Sequence, residues 1–597
     1  MRPYALLLAF LITADAALCA PQTPPPPAAE ILESVRQATG GDAWNQFIAC
    51  KTEMQVTISG KSGPGTSVES FLTGAFTMRA SIPELGVHQA YGIAADGIWR
   101  QDENGYISLL PAGQWATDEL YLKRHAYWQP NFGGATVRVL EPVTEKDATF
   151  DRLEFHVPGG NGFTLWVNRA NHLIERVVAG SVTRYWGDYR RIDSLMLPFT
   201  ERGPSGDQEV LSTATKRTLL KTVDQADVAI PFQRDYEMPA SGKVTVPADG
   251  GIVFKARING KGPYTMFFDT GSPNVLSVGL AKELGLSPDN GQGQTWVMNG
   301  GTLNTQTAHV RALQIGDLVL HDQLFHVIEI PVANGNTPVA TIGYEVLRRL
   351  AVQVDYEHEQ LTFYDAPTFH YSGAGKPIPL LTDGTSLEVQ ASVAGASGTF
   401  ALDTGNEVGF LVYPGFVQQN HLIERFGAHY HGYSGKDYAG PTDQAYYARI
   451  KTLSIGDVEA HDLIGYLWTG STTGAEAIAG NIGRSVLRNF TATFDLMRSR
   501  LYLEKNANWD KPEIFNRAGL LVDPTDAGQK VMTVLPGSPA ESAGIAVGDV
   551  ITQIDGHAPA DDTNDPAFLQ PEGTRVTVTV KHGDAGRDVQ LTLKELL

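Results

Sequence analysis

Apolar and polar residues alternate along most of this chain, and few stretches repeat them at helical spacing. Segments such as "HQAYGIAADGIWRQDENGYISLL" (88–110) and "FTLWVNRANHLIERVVAG" (163–180) alternate between turns rich in Gly, Asn and Asp. That pattern predicts antiparallel strands. "YWGDYRRIDSLMLPFTERG" (185–203) reads as a further hairpin. The exception comes early: in "AEILESVRQATGG" (29–41), Ile31, Leu32 and Val35 form an apolar stripe that Gly40-Gly41 ends, so a helix is expected. The proline-rich stretch at 20–30 before it reads as an extended linker. Residues 31–222 are expected to form one β domain.

From about 235 to 506 the pattern occurs twice. "YTMFFDTGSPNVLS" (264–277) and "GTFALDTGNEVGFL" (398–411) each bring an apolar strand to an Asp-Thr-Gly turn, at Asp269 and Asp403. Further on, "LQIGDLVLHD" (313–322) matches "LSIGDVEAHD" (453–462), and "IGYEVLRRLAVQVDYEHEQLTFY" (342–364) aligns without a gap with "IGRSVLRNFTATFDLMRSRLYLE" (482–504). By average residue usage, Asp-Thr-Gly arises by chance roughly 0.1 times in a chain of this length. An ordinary β-turn would explain Asp and Gly. It does not explain why Met266 to Phe268 and Phe400 to Leu402 bury the approach to a charged turn twice. A carboxylate led to the edge of a core needs a partner, and the other carboxylate is the economical one.

The order of strand, Asp-Thr-Gly, hairpins, Ile-Gly, short helix and two strands resembles the pepsin-like and retropepsin-like aspartic proteases. Their lobes contribute one Asp each. The resemblance implies lobes at 235–370 and 373–506, with Asp269 and Asp403 as catalytic residues and no metal or cofactor. Two carboxylates held about 3 Å apart share one proton and titrate together. The ionised one takes a proton from a water, and the protonated one donates to the peptide carbonyl. Gly271 and Gly405 allow the sharp turn. By resemblance, Thr270 and Thr404 bond across the lobe interface, Ser272 orients the outer carboxylate oxygen of its aspartate, and Ile342-Gly343 and Ile482-Gly483 pack behind the turns. Asn406 departs from that pattern, because an amide reaches differently from a hydroxyl. "QTWVMNGGTLN" (294–304), with Trp296, and "YHGYSGKDY" (430–438), with Tyr433, stand where flaps are expected.

Two further resemblances flank the repeat. Residues 28–222, through "DYRRIDSLMLPF", resemble the curved half-barrel of the bacterial lipoprotein-sorting carriers. In that family the concave face holds acyl chains. Residues 514–597 resemble the PDZ domains of bacterial periplasmic proteases, through "GSPAESAGIAVGDVITQIDG" (537–556). There, Ala518, Gly519, Leu520 and Leu521 fall on the loop whose N–H groups receive a peptide carboxylate. The expected fold class is therefore multidomain and mainly β: a half-barrel, two pseudo-symmetric protease lobes and an α+β PDZ domain.

Length and composition narrow the partners. At 597 residues the chain exceeds one hydrophobic core, and 42% hydrophobic with 19% charged residues describes a folded chain. A net charge of −20 argues against nucleic acid or an anionic membrane as the main partner. Arg2 followed by "ALLLAFLI" reads as an export signal within 1–19, too short to span a bilayer, so a periplasmic or extracellular location is expected. Cys19 offers a lipid anchor, although Leu18 stands where a small residue is expected. Cys19 and Cys50 are the sole cysteines, and a disulfide between them depends on the cleavage point. His429 and His431 alternate without a further ligand at metal-binding spacing. The sequence thus points to an exported aspartic endopeptidase whose PDZ domain binds polypeptide. An inactive peptide-binding scaffold on the same fold is the alternative, and a lipid carrier a third reading.

Overall fold

The computed structural model describes residues 27–597 except 86, 95–96, 102–106, 111–113, 206–207, 233, 288, 297–301, 330–337, 383–386, 408, 434–435, 438–439, 442–443, 470–477, 510, 561–564 and 584. The segment expected to be an export signal and Cys19 lie outside these residues, as does the tip of the hairpin expected to be the first-lobe flap. The chain forms two compact units that divide near residue 231. Among the described residues, no helix is long and apolar enough to cross a membrane.

The first unit opens with the expected helix, Ala28–Thr39, which buries Ile31, Leu32 and Val35 and ends at Gly40 with φ 147°. Its stripe packs on Leu153, Phe155 and Leu165, the inward positions of two adjoining strands. The strands form one antiparallel sheet in which the first, Ala49–Ile58, lies between Lys61–Ser70 and the last, Gln208–Leu220. Cys50 is buried on that first strand and has no disulfide partner among the described residues.

Between this sheet and the helix Gln114–Lys123 lies a cavity of about 350 Å³. Met54, Val56 and Met78 line part of it, but Glu69, Lys123 and Arg184 line it too. Lys123 pairs with Glu69 at 3.1 Å, and Arg184 with Glu119. Burial alone would raise the Glu69 carboxyl, yet the cations Lys123 and Arg217 hold it below its usual range. The interior is therefore charged where an acyl-chain carrier is expected to be apolar. Removing either partner of such a pair would strand a buried charge.

The second unit carries the repeat. In the first lobe the strands Val253–Ile258, Lys261–Phe268, Ala340–Ile342, Val275–Ser277, Leu318–Ile328 and Thr302–Ile315 follow one another around a barrel, closed by pairing of the last two. The second lobe repeats this with Leu387–Val393, Ala396–Leu402, Gly480–Ile482, Phe410–Val412, Val458–Trp468 and Gln444–Ile455, closed by pairing of the first and last. Closure leaves few free edges and turns the alternating apolar residues inward. The short helices expected after each Ile-Gly are present at Tyr344–Leu347 and Arg484–Leu487.

A six-stranded sheet spans both lobes. At its centre Leu350–Asp355 pairs antiparallel with Phe490–Asp495, placing Gln353 opposite Thr493. These two residues are 140 apart and share a hydrogen bond of 3.0 Å. Because 140 is also the offset of the repeat, this pair lies on the pseudo-two-fold axis.

The last domain is a five-stranded sheet running in order from Leu520–Thr525 to Ala585–Thr592, with Leu520, Val522, Val531, Ile551 and Val578 in its core. The helix Pro539–Ser542 starts where Ser538 Oγ accepts the Glu541 N–H at 3.2 Å. The opposite sheet face docks on the second lobe. Leu521, Leu535 and Leu596 pack with Tyr430, Tyr447 and Ile464.

Candidate active site

Each Asp-Thr-Gly turn follows a strand whose last residues are wholly buried: Met266 and Phe268 in one lobe, Phe400 and Leu402 in the other. The strand cannot shift without exposing them, so the turn is fixed at the lobe's edge. Behind it the Ile-Gly segment locks the backbone. Ile342 O accepts the Asp269 N–H at 2.9 Å, and Ile482 O accepts that of Asp403 at 3.1 Å. The Tyr344 N–H donates to Ser272 O at 3.0 Å and the Arg484 N–H to Asn406 O at 2.9 Å. The Ile-Gly segments therefore occupy the backing position that the resemblance implies.

The two turns meet through their threonines. The Thr270 N–H donates to Thr404 Oγ1 and the Thr404 N–H to Thr270 Oγ1, both at 3.0 Å. Each hydroxyl then donates onward, Thr270 to Leu402 O and Thr404 to Phe268 O, both at 2.9 Å. Both threonines are fully buried, so four satisfied hydrogen bonds hold the lobes in one register. The glycines are required by the close approach. A Cβ on Gly271 would stand 2.5 Å from Asp403 Cγ, and one on Gly405 2.3 Å from Asp269 Oδ2.

The carboxylates are thereby brought together. The Gly271 N–H donates to Asp269 Oδ1 at 2.8 Å and the Gly405 N–H to Asp403 Oδ1 at 2.9 Å. Burial, and then the facing charge of Asp403, push the Asp269 carboxyl well above its usual 3.8, while the Gly271 N–H pulls the other way. A half-buried acid beside a second carboxyl, each with backbone donors, can hold a proton above the usual carboxylate range and pass it on.

One expected role is not met, and the departure at Asn406 takes a definite form. Ser272 Oγ does not orient a carboxylate; it donates to Pro273 O at 2.9 Å, because the turn carries the hydroxyl past the aspartate. The Asn406 side chain also misses Asp403, and only its backbone N–H reaches Oδ1, at 3.0 Å. The amide bonds Gly409 and Asn481 instead. Asn481 was not anticipated. Its Nδ2 donates to Asp403 Oδ2 at 2.9 Å. The signal was an asparagine in the apolar strand "GNIG", where the first copy has Thr341.

The flaps stand differently. Strands Asp289–Trp296 and Thr302–Ile315 pair as a hairpin, but its tip and the Trp296 side chain lie outside the described residues. In the second lobe Tyr433 faces the PDZ domain. Its N–H donates to Thr533 Oγ1 at 3.0 Å. In the PDZ loop, Ala518, Gly519 and Leu520 are buried, and Leu521 packs towards the second lobe. The Ala518 and Gly519 N–H groups are already taken by Asn516 Oδ1, at 3.0 and 3.1 Å. In the loop expected to receive a carboxylate, these two N–H groups are thus satisfied by an internal side chain, since an Asx turn supplies the acceptor that burial would otherwise deny them.

Comparison with known proteins agrees with the two motif-bearing regions. Residues 254–346 match the family model for aspartyl proteases, and residues 530–582 the one for PDZ domains. No curated protein matches the chain. Among solved structures, a LolA-superfamily protein from Nitrosomonas europaea shares 12% identity at a TM-score of 0.25, covering 34% of this chain and 98% of its own. A DUF1329-family protein from Desulfovibrio piger shares 9% at a TM-score of 0.25, over 34% and 95%. A retropepsin-like aspartic protease from Rickettsia conorii shares 19% at a TM-score of 0.16, over 20% and 89%. By sequence family, the chain therefore matches the aspartyl-protease model within its first lobe and the PDZ model near its end.

Proposed function

We propose that the chain is an exported aspartic endopeptidase that hydrolyses peptide bonds with a water held between Asp269 and Asp403. The observation that carries this reading is the reciprocal bonding of Thr270 and Thr404, which brings one carboxylate from each repeat to a single point. One carboxylate takes a proton from the water as its oxygen attacks the peptide carbon. The protonated partner gives its proton to the carbonyl oxygen. The tetrahedral intermediate then collapses as a proton passes to the leaving nitrogen, and no covalent enzyme adduct forms. Supporting roles follow from position: Thr270 and Thr404 fix the dyad, while Gly271 and Gly405 admit the facing carboxylates. The PDZ domain binds polypeptide along its edge strand, Leu520–Thr525.

Cleavage of casein between about pH 4 and 8, with pepstatin as a control, tests this reading. Wild type cleaves, and Asp269→Asn and Asp403→Asn each abolish cleavage. Persistent cleavage by either variant would refute the shared dyad. A folded wild type that cleaves nothing would favour the peptide-binding scaffold.

A further inference from the structure

The two aspartates occupy equivalent turns but receive unequal support. Asp403 Oδ1 accepts the N–H groups of Gly405 and Asn406, and Oδ2 accepts Asn481 Nδ2 at 2.9 Å. On the other side Gly271 donates to Asp269 Oδ1 and the Gly405 N–H also favours its charged form, but no side chain does so, the Ser272 hydroxyl being turned away to Pro273. Asn481 cannot rotate freely. Its Oδ1 accepts Asn406 Nδ2 at 2.8 Å, and that Nδ2 also donates to Gly409 O at 2.9 Å. A carbonyl only accepts, so Asn406 must present its amide nitrogen there, and Asn481 must present its oxygen to Asn406. The remaining Nδ2 of Asn481 is left to face Asp403. Both amides are buried.

Resting on the reading that the dyad is catalytic, we propose that Asn481 is a positioning residue that holds Asp403 as the ionised carboxylate and so leaves the shared proton on Asp269. A donor aimed at a carboxylate oxygen stabilises the charged form. The Asn406 side chain, at the position after the second Asp-Thr-Gly, acts through Asn481, while only its backbone N–H touches the aspartate. The water's proton then passes to Asp403 and the carbonyl oxygen takes its proton from Asp269. The other titratable groups near Asp403 are Asp269, Tyr413 and Tyr356, with the Arg484–Glu407 ion pair (3.0 Å) beyond. Burial raises both phenols, which stay neutral where the dyad titrates.

The test is the carboxyl titration of the full chain labelled with side-chain-¹³C aspartate, the two dyad signals being assigned by their loss in Asp269→Asn and Asp403→Asn. In wild type Asp403 ionises at lower pH than Asp269. In Asn481→Leu the Asp403 midpoint rises by about one pH unit, whereas Thr341→Val, at the equivalent first-lobe position, leaves it in place. With cleavage as a second readout, Asn481→Leu lowers kcat about tenfold or more with KM little changed, and the acid limb of the pH profile moves up. If Asn481→Leu does not fold, Asn481→Thr, which carries the first-lobe residue, gives the same measurement. An Asp403 midpoint that stays put, or an Asp269 that ionises first, overturns the proposal. If wild type fails to cleave, the protease reading falls, yet the titration still decides the role of Asn481.

Discussion

At the scale of single residues, the site depends on buried hydroxyls and one raised acid. Thr270 and Thr404 each exchange one proton and one lone pair across the lobe boundary without access to water, so neither tolerates an isostere lacking the hydroxyl. Thr270→Val and Thr404→Val each remove a donor and leave a buried N–H without its acceptor, at a cost of about 2 kcal/mol. A fall in the urea midpoint at constant slope would register this, together with loss of cleavage. Asp269 opposes folding in a defined pH window. Below its ordinary 3.8 the proton is bound in both folded and unfolded states. As pH rises towards the raised folded value, the unfolded chain releases the proton while the folded chain still holds it, so stability falls. Asn cannot ionise. Asp269→Asn should therefore melt higher than wild type at about pH 7, with the difference shrinking towards about pH 4. Equal differences at both pH values would show that the acid is not raised.

At the scale of elements, the strand Tyr430–Tyr433 links the second lobe to the PDZ domain. A Cβ on Gly432 would stand 2.6 Å from Thr533 Cγ2 and 3.0 Å from Leu521 Cδ1, so glycine alone permits this approach. Gly432→Val should undock the PDZ sheet while both bodies stay folded. The expected signs are new proteolytic sensitivity between 506 and 517 and exposure of Tyr430 and Tyr447. An unchanged digestion pattern would show that the contact is incidental. Much of this level was legible in the sequence. Alternation forecast the strands, and the Gly40-Gly41 stop matched the end of Ala28–Thr39. The internal bonding of the PDZ loop was not legible. A buried N–H must find an acceptor, and whether Asn516 or a ligand supplies it depends on a side-chain turn that residue types do not encode.

At the scale of the molecule, the two lobes form one apolar core, with Phe268, Val352 and Leu347 clustered with Leu402, Phe494 and Leu487. The two aspartates are thus brought together within one chain, although each comes from a separate barrel. Specific activity per chain should stay constant on dilution, as an assay over a hundredfold range of concentration (roughly 10 nM to 1 μM) would register. A fall at low concentration would mean that the site is completed by a second copy. The net charge of −20 disfavours self-association through unspecific contacts.

The sequence by itself determined the strand pattern, the duplicated Asp-Thr-Gly unit and the pairing of two carboxylates, because periodicity and spacing are properties of the chain alone. It also marked Asn406 as a departure. Only the tertiary structure decided what that departure does. Asn406 and Asn481 are 75 residues apart and meet because Gly480–Ile482 lies parallel to Ala396–Leu402, behind the turn. Which of two equivalent aspartates is supported on both oxygens follows from that crossing, where a hydrogen bond is made or lost over less than an ångström. The charged cavity of the first unit has the same origin. Glu69, Lys123 and Arg217 come from distant parts of the chain, and folding alone turns them towards one another.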